Sequence, residues 1–250
     1  MSSTAAKRSR GVRVLGLAFA ALFVLLCLAA LLVYLSFHGR PAHWDNEQQR
    51  LAAMPDAQRQ AVSESLRNQL LTQWSDPGEK TPLTEADLFG QRKTITIPYA
   101  DLNTWIQTEG IELLAEVGIK IPDSAPSAMI DSPGDGLLRI SFEIKTQDID
   151  QVIALSFAVT VAENGTLTST LKQATAGRLP LPVATATQIV ASQAKDGILL
   201  DLMQGNPVPP FELPIDPSAD GLRDGRLVGL EVQQDALIIT RETVRRNKAK

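Results

Sequence analysis

The spacing of hydrophobic residues changes three times along this chain. From Val14 to Phe37 the sequence VLGLAFAALFVLLCLAALLVYLSF carries no charge over 24 residues. As a helix rising about 1.5 Å per residue it would measure about 36 Å, enough to cross the hydrocarbon core of a bilayer. A cleaved signal peptide has a shorter apolar core, and a buried helix of this length is rarely apolar on every face. The pattern predicts an uncleaved transmembrane helix over residues 14–37. Residues 24–27 (VLLC) lack the small residue that precedes a lipobox cysteine, so Cys27 is an apolar residue of the span.

Residues 44–75 are polar, with Leu51, Met54, Val62, Leu66, Leu70 and Trp74 near helical spacing and Pro55 as a break. They predict a juxtamembrane helical stalk, followed by a linker over DPGEKTP, residues 76–82. Thr84 and Asp87 form a weak capping box for a short helix. KTITIP then alternates as a strand. Leu102, Trp105, Ile106, Leu113 and Val117 make a helical stripe interrupted by Glu109, with a cap at or before Asp101 and an end at Gly118.

From residue 127 the period drops to two. SAMID leads into the turn SPGDG. LLRISFEIKTQ places Leu138, Ile140, Phe142 and Ile144 on one face and Arg139, Ser141, Glu143 and Lys145 on the other, which predicts one dry and one wet face. VIALSFAVTV puts Ile153, Leu155, Phe157, Val159 and Val161 on one side. Asn164-Gly165 signals a hairpin to TLTSTLKQAT, and RLVGLEV with ALIIT predicts a second hairpin near the end.

GRLPLP, residues 177–182, stands apart because two prolines interrupt an apolar run. Gly177 permits a turn without a Cβ penalty. Pro180 and Pro182 cannot donate to a ladder and are expected to end sheet pairing. Pro182 has the φ of a first helical turn, and Ala186, Ile189, Val190, Gln193, Ala194 and Ile198 continue as a mostly apolar helical stripe. An apolar corner of this kind must pack on a core, a ligand or a membrane.

Charge sharpens the picture. Five basic and no acidic residues lie in residues 1–40, so of the 24 basic and 28 acidic residues, 19 and 28 remain in residues 41–250, a net of −9. An acidic body does not suit nucleic acid. Four basic residues, Lys7, Arg8, Arg10 and Arg13, precede the span, which by the positive-inside rule puts the N-terminus in the cytoplasm and residues 41–250 outside.

Candidate chemistry is sparse. With one cysteine and two histidines, His38 and His43, no intrachain disulfide and no Cys/His metal site is expected. There is no G-x-S-x-G, and both histidines follow the span closely, remote in sequence from the folded domain, so no catalytic residues are assigned. Glu112 and Glu116 are i, i+4 on one helix and suit a solvated face. Asp131 and Asp135 flank a turn. Asp216, Asp220 and Asp224, in DPSADGLRDG, are the best calcium candidate. They lack the D-x-D-x-D-G spacing, and a turn-rich loop accounts for them. No metal or cofactor is assigned. Arg178 suits a groove mouth or a solvated turn, and the basic tail from Arg241 to Lys250 suits lipid headgroups, a periplasmic polymer or plain solvation.

The order of span, strand, PYADLNTWIQ helix, hairpins, GRLPLP corner, helix and C-terminal hairpin resembles the YpmS-like family of membrane-anchored bacterial proteins of unknown function. The matching residues are Leu102-Asn103, Asn164-Gly165-Thr166-Leu167, Gly177-Arg178-Leu179-Pro180-Leu181-Pro182 and Ala236-Leu237-Ile238-Ile239-Thr240, across roughly residues 93–240. More distantly the chain is similar to small tubular lipid-binding domains, which implies a long helix against a curved antiparallel sheet with an apolar groove between them.

The expected protein is α+β: an N-terminal transmembrane helix, then a twisted antiparallel sheet packed against two or more helices. Its parts are a cytoplasmic basic N-terminus (1–13), the span (14–37), stalk and linker (38–82), an extracytoplasmic domain (83–240) and a basic tail (241–250). It is expected in the plasma (inner) membrane as a single-pass, non-enzymatic protein that binds or handles a lipid or another apolar envelope component. The candidate ligand-binding residues are Trp105, Ile106, Phe142, Phe157, Leu181, Ala186, Ile189 and Val190, whose apolar faces would meet as a closed core or an open groove. The alternative is an anchored scaffold that binds another envelope protein.

Overall fold

The computed structural model describes residues 25–28, 30–74, 89–110, 127–145, 150–193, 198–210, 212–214 and 223–245. The described helices are α1 (residues 25–28 and 30–38), α2 (Ala42–Ala53), α3 (Asp56–Trp74), α4 (Tyr99–Trp105, prolonged by a π-helical turn Ile106–Gly110), α5 (Val183–Gln193) and α6 (Ile198–Gln204). The strands are β1 (Arg92–Pro98), β2 (Ala128–Gly134), β3 (Leu137–Lys145), β4 (Asp150–Val161), β5 (Leu167–Ala176), β6 (Leu179–Leu181), β7 (Glu212–Pro214), β8 (Arg223–Val232) and β9 (Ala236–Arg245). The expected cytoplasmic residues, the linker, the Thr84 capping box, residues 111–118 of the helical stripe, Asp216, Asp220 and residues 246–250 of the tail lie outside the described residues. The first half of the expected tail is not a tail, since residues 241–245 complete β9 and Arg241 is buried.

An α+β fold forms as expected, but with two antiparallel sheets instead of one. The first has the order β1-β9-β8-β7 and the second β2-β3-β4-β5-β6. The local hairpins follow their turn chemistry. Asp135 and Gly136, both at positive φ, join β2 to β3, as a two-residue hairpin of primed type requires. Gly165, at φ 86°, closes the β4–β5 turn, and β8 pairs with β9. The first sheet is closed by β1 pairing with β9, Ile95 against Ile239 and Ile97 against Leu237. No local pattern announces that pairing.

β4 is the central strand of the second sheet. Every residue from Gln151 to Phe157 is buried, which explains why VIALSFAV is nearly continuous in apolar residues instead of alternating. Its odd face carries Ile153, Leu155 and Phe157 into a core with Leu171, Ala174 and Ala176 of β5, Ala186 of α5 and Met203 of α6. Its even face carries Val152 against Met129 and Trp44 of α2.

Helices α2 and α3 are not a free stalk. Trp44, Leu51, Ser63 and Leu66 are buried. Leu66 of α3 packs with Ile95 and Ile97 of β1, flanked by Leu102 and Trp105. Arg50 donates to the Ala100 carbonyl (2.9 Å) and to Thr104 Oγ1 (3.1 Å), tying α2 to α4. The polar pattern of residues 44–75 concealed this because each helix uses only a narrow apolar line.

α4 starts earlier than expected. Pro98 is the cap residue and no side chain caps the helix; the Tyr99 N–H donates to the Asp235 carbonyl (3.0 Å). Thr104 and Thr108 hydroxyls donate to carbonyls four residues back, a bonding that competes with the helix ladder where the π-helical turn begins. Buried Asn103 accepts from the Ile130 N–H (2.7 Å), and Gln107 Nε2 donates to the Ala128 carbonyl (2.7 Å). Together they cover the free edge of β2.

Candidate functional site: an apolar trough at the end of the first helix

One N-terminal helical run, Leu25–Ala53, is long and apolar enough to cross a membrane. Leu25, Leu26, Leu28, Leu31, Leu32, Val33, Tyr34 and Leu35 are exposed on it. The run bends after α1. The Gly39 N–H closes the helix on the Leu35 carbonyl (2.8 Å), and Pro41 occupies the cap position of α2.

The end of α1 is stitched to the second sheet by the GRLPLP segment. The Arg178 N–H donates to the Ser36 carbonyl (2.9 Å) and Arg178 Nε to the Arg40 carbonyl (2.9 Å). The Ser36 carbonyl belongs to the last turn of α1, where a helix end leaves carbonyls unpaired, and the Arg40 carbonyl lies in the link to α2. Gly177, at φ 58°, packs so closely that a Cβ there would lie 2.3 Å from the Phe37 carbonyl oxygen and 2.7 Å from that of Gly39. On the other side Gln151 Nε2 donates to His38 Nδ1 (3.1 Å). Arg40 pairs with Glu143 (2.6 Å) and Asp150 (3.3 Å).

The corner differs from its expected form. Leu179–Leu181 is an edge strand, with Leu179 opposite Ala176 and Leu181 opposite Ala174. Pro180 therefore sits inside a paired strand, tolerated because this is the edge. Pro182 precedes α5, and its carbonyl accepts from the Ala186 N–H (3.0 Å).

The two faces of β3 depart from the expectation at the middle of the strand, while Lys145 stays exposed and Arg139 half-buried at its ends. Ser141 and Glu143, placed on a wet face, are 0% and 4% exposed. α2 crosses that face: His43 Nε2 lies 3.2 Å from Ser141 Oγ, Trp44 packs beside it, and Arg40 and Lys145 neutralise Glu143. The face expected to be dry is only half-buried at Leu138, Ile140, Phe142 and Ile144. α5 and α6 pack mainly on β5, and the half-buried apolar row of β3 beside them, together with the sheet next to it, is here called the trough. Its floor follows the sheet register, Ile140–Leu155–Ala174–Leu181 and Phe142–Ile153–Ala176–Leu179. Phe37 of α1 packs against the same cluster.

Of the candidate binding residues, Phe142, Phe157, Leu181 and Ala186 come together here. Phe142 and Leu181 are half-buried, whereas Phe157 and Ala186 are 1% exposed and belong to the packed floor and wall. Trp105 and Ile106 do not join them. Trp105 packs against the separate cluster of Leu66, Ile95 and Ile97, and Ile106 is buried in the adjoining π-helical turn. Ile189 and Val190 lie on α5 with side chains outside the described residues. Sequence reasoning missed Phe37, Ile140, Ile144 and Leu202, which also pack against this cluster. The alternation of β3 was the available signal for Ile140 and Ile144.

The polar side has its own electrostatics. Arg139 grips Asp131 bidentately, Nε to Oδ1 at 2.7 Å. Burial holds the His43 imidazole below its ordinary value, helped by the Arg139 charge and opposed by Asp131 and Asp45. Burial, then Asp131, pushes the Tyr99 hydroxyl up to about 12. The histidines are thus not remote from the domain, as their sequence position suggested. Asp224 lies on β8 opposite Pro214 and Val244, not in a loop. Comparison with family models, curated proteins and solved structures finds no match.

Proposed function

We propose that this protein is a single-pass, membrane-anchored domain that holds the acyl part of a lipid, or a similarly apolar envelope component, in the trough between β3 and helices α5 and α6. The observation that carries this reading is the half-open apolar row of Ile140, Phe142 and Ile144, contiguous with Phe37 at the end of α1. A row of this kind has unsatisfied apolar area beside the place where lipid is available. The basic residues Lys7 to Arg13 support a cytoplasmic N-terminus and a domain on the outer side of the inner membrane. The role is non-enzymatic. Ser141 faces His43, but its hydroxyl is wholly buried, so a substrate carbonyl has no path to it. The motif resemblance to membrane-anchored bacterial proteins is consistent with this reading.

The test is uptake of a fluorescent fatty acid or phospholipid by the full chain in mild detergent. Ile144→Gln together with Leu181→Gln should weaken uptake about tenfold or more while the domain stays folded, since both side chains are only partly buried and each loses about 1–2 kcal/mol of apolar contact with the ligand. Ala186→Trp is unsuitable as a blocking variant because Ala186 is part of the packed wall, where overpacking would unfold the site. Absence of uptake by the unaltered protein would overturn lipid handling and favour a scaffold that binds an envelope protein.

A further inference from the structure

The segment Leu179–Val183 has a property that the trough does not require. Pro180, Pro182 and Val183 are exposed, and among the described residues Val183 is the one large hydrophobic side chain beyond α1 that is exposed, at 39%. From Leu179 to Ala194 there is no charged residue. The segment is also fixed in depth. The Arg178 N–H bond to the Ser36 carbonyl and the contact of Gly177 with the Phe37 carbonyl hold it level with the last turn of α1, where the uncharged run ends and His38 and Arg40 begin.

We propose that Leu179–Val183 is a second membrane contact, an apolar loop resting in the headgroup–acyl boundary of the bilayer beside the end of α1. This rests on the reading that α1 spans the membrane. The chemistry of the backbone suits that position. An unpaired N–H costs free energy in lipid. Pro180 and Pro182 have no N–H, and Leu179 and Leu181 pair with Ala176 and Ala174 of β5. The prolines thus let an edge strand face lipid without free donors and without the ready ladder that recruits another strand. Leu181 also packs on the trough cluster, so the loop places the start of the trough at the lipid interface, and an acyl chain enters without crossing water. Arg178, exposed beside the loop, sits where a guanidinium meets headgroup phosphates.

The experiment uses the full chain with Cys27→Ala, reconstituted in phosphatidylethanolamine–phosphatidylglycerol vesicles. Single cysteines are introduced as Val183→Cys, Leu32→Cys or Glu163→Cys and labelled with an environment-sensitive fluorophore. Glu163 lies in the β4–β5 turn, about 30 Å from the docked end along β4. The expected result is that the label at 183 is quenched by lipids spin-labelled near the headgroup, and is roughly fivefold less accessible to aqueous iodide than the label at 163, as for a group several ångströms below the headgroups. Iodide access at 183 equal to that at 163, with Leu32→Cys quenched by lipid, overturns the loop contact and leaves the anchor standing. A label at Leu32 that lipid quenchers do not reach overturns the anchor and the loop contact together.

Discussion

Gly177→Ala tests whether the corner is built to receive the end of α1. Two costs are separable. The first is backbone strain: an alanine at φ 58° costs about 1–2 kcal/mol. The second is steric. The new methyl would stand 2.3 Å from the Phe37 carbonyl oxygen, 2.7 Å from that of Gly39 and 3.0 Å from that of Ser36. All three are backbone atoms and none can swing aside. Relief requires the turn to withdraw from α1, which breaks the bonds from Arg178 to Ser36 and Arg40. At about 0.5–1.5 kcal/mol each, these bring the total to about 2–5 kcal/mol. Gly136 supplies the control. Its φ is similar, 68°, but nothing lies within 4 Å of its missing Cβ, so Gly136→Ala should cost only the strain. The assay is thermal unfolding of the full chain in detergent micelles, where about 1 kcal/mol lowers Tm by about 2–4 °C at this size. Gly177→Ala should melt well below Gly136→Ala. Equal melting temperatures for the two variants would refute the docking argument.

Asn103→Ala should destabilise the protein by about 1–3 kcal/mol, seen as a lower denaturant midpoint, because it removes a buried amide and strands the half-buried Ile130 N–H on the β2 edge; an unchanged midpoint would mean that water replaces the amide. His43 predicts a pH dependence. Its folded pKa lies below the ordinary 6.5, so the unfolded chain takes up the proton first as pH falls. The contribution is intact above about pH 6.5 and is lost as pH drops from there toward the folded value, and His43→Gln should flatten that part of the stability–pH curve.

Much of the fold could be read from nearest-neighbour chemistry. The uncharged run through Phe37 announces a helix long enough to span a membrane. Asn164-Gly165 and Asp135-Gly136 announce their hairpins, and the alternation of β3 marks it as a strand with two unlike faces. These features depend on residue period and turn geometry, which are local. What the two faces of β3 meet is not local. Ser141 and Glu143 become buried because the chain returns across them, with Arg40 just before α2 and His43 and Trp44 on it, and the apolar row stays half-buried where α5 and α6 settle on β5. The same holds for Trp105, whose apolar ring matched the trough in type but packs instead with α3 and β1. Pairing of β1 with β9 joins segments separated by most of the domain. Gly177 shows the division most clearly. Its sequence context specified a turn, but only the tertiary structure brought the Phe37 carbonyl against it. A residue's period fixes its direction along an element, and the surface it meets is chosen by chain closure among distant elements competing for the same apolar area.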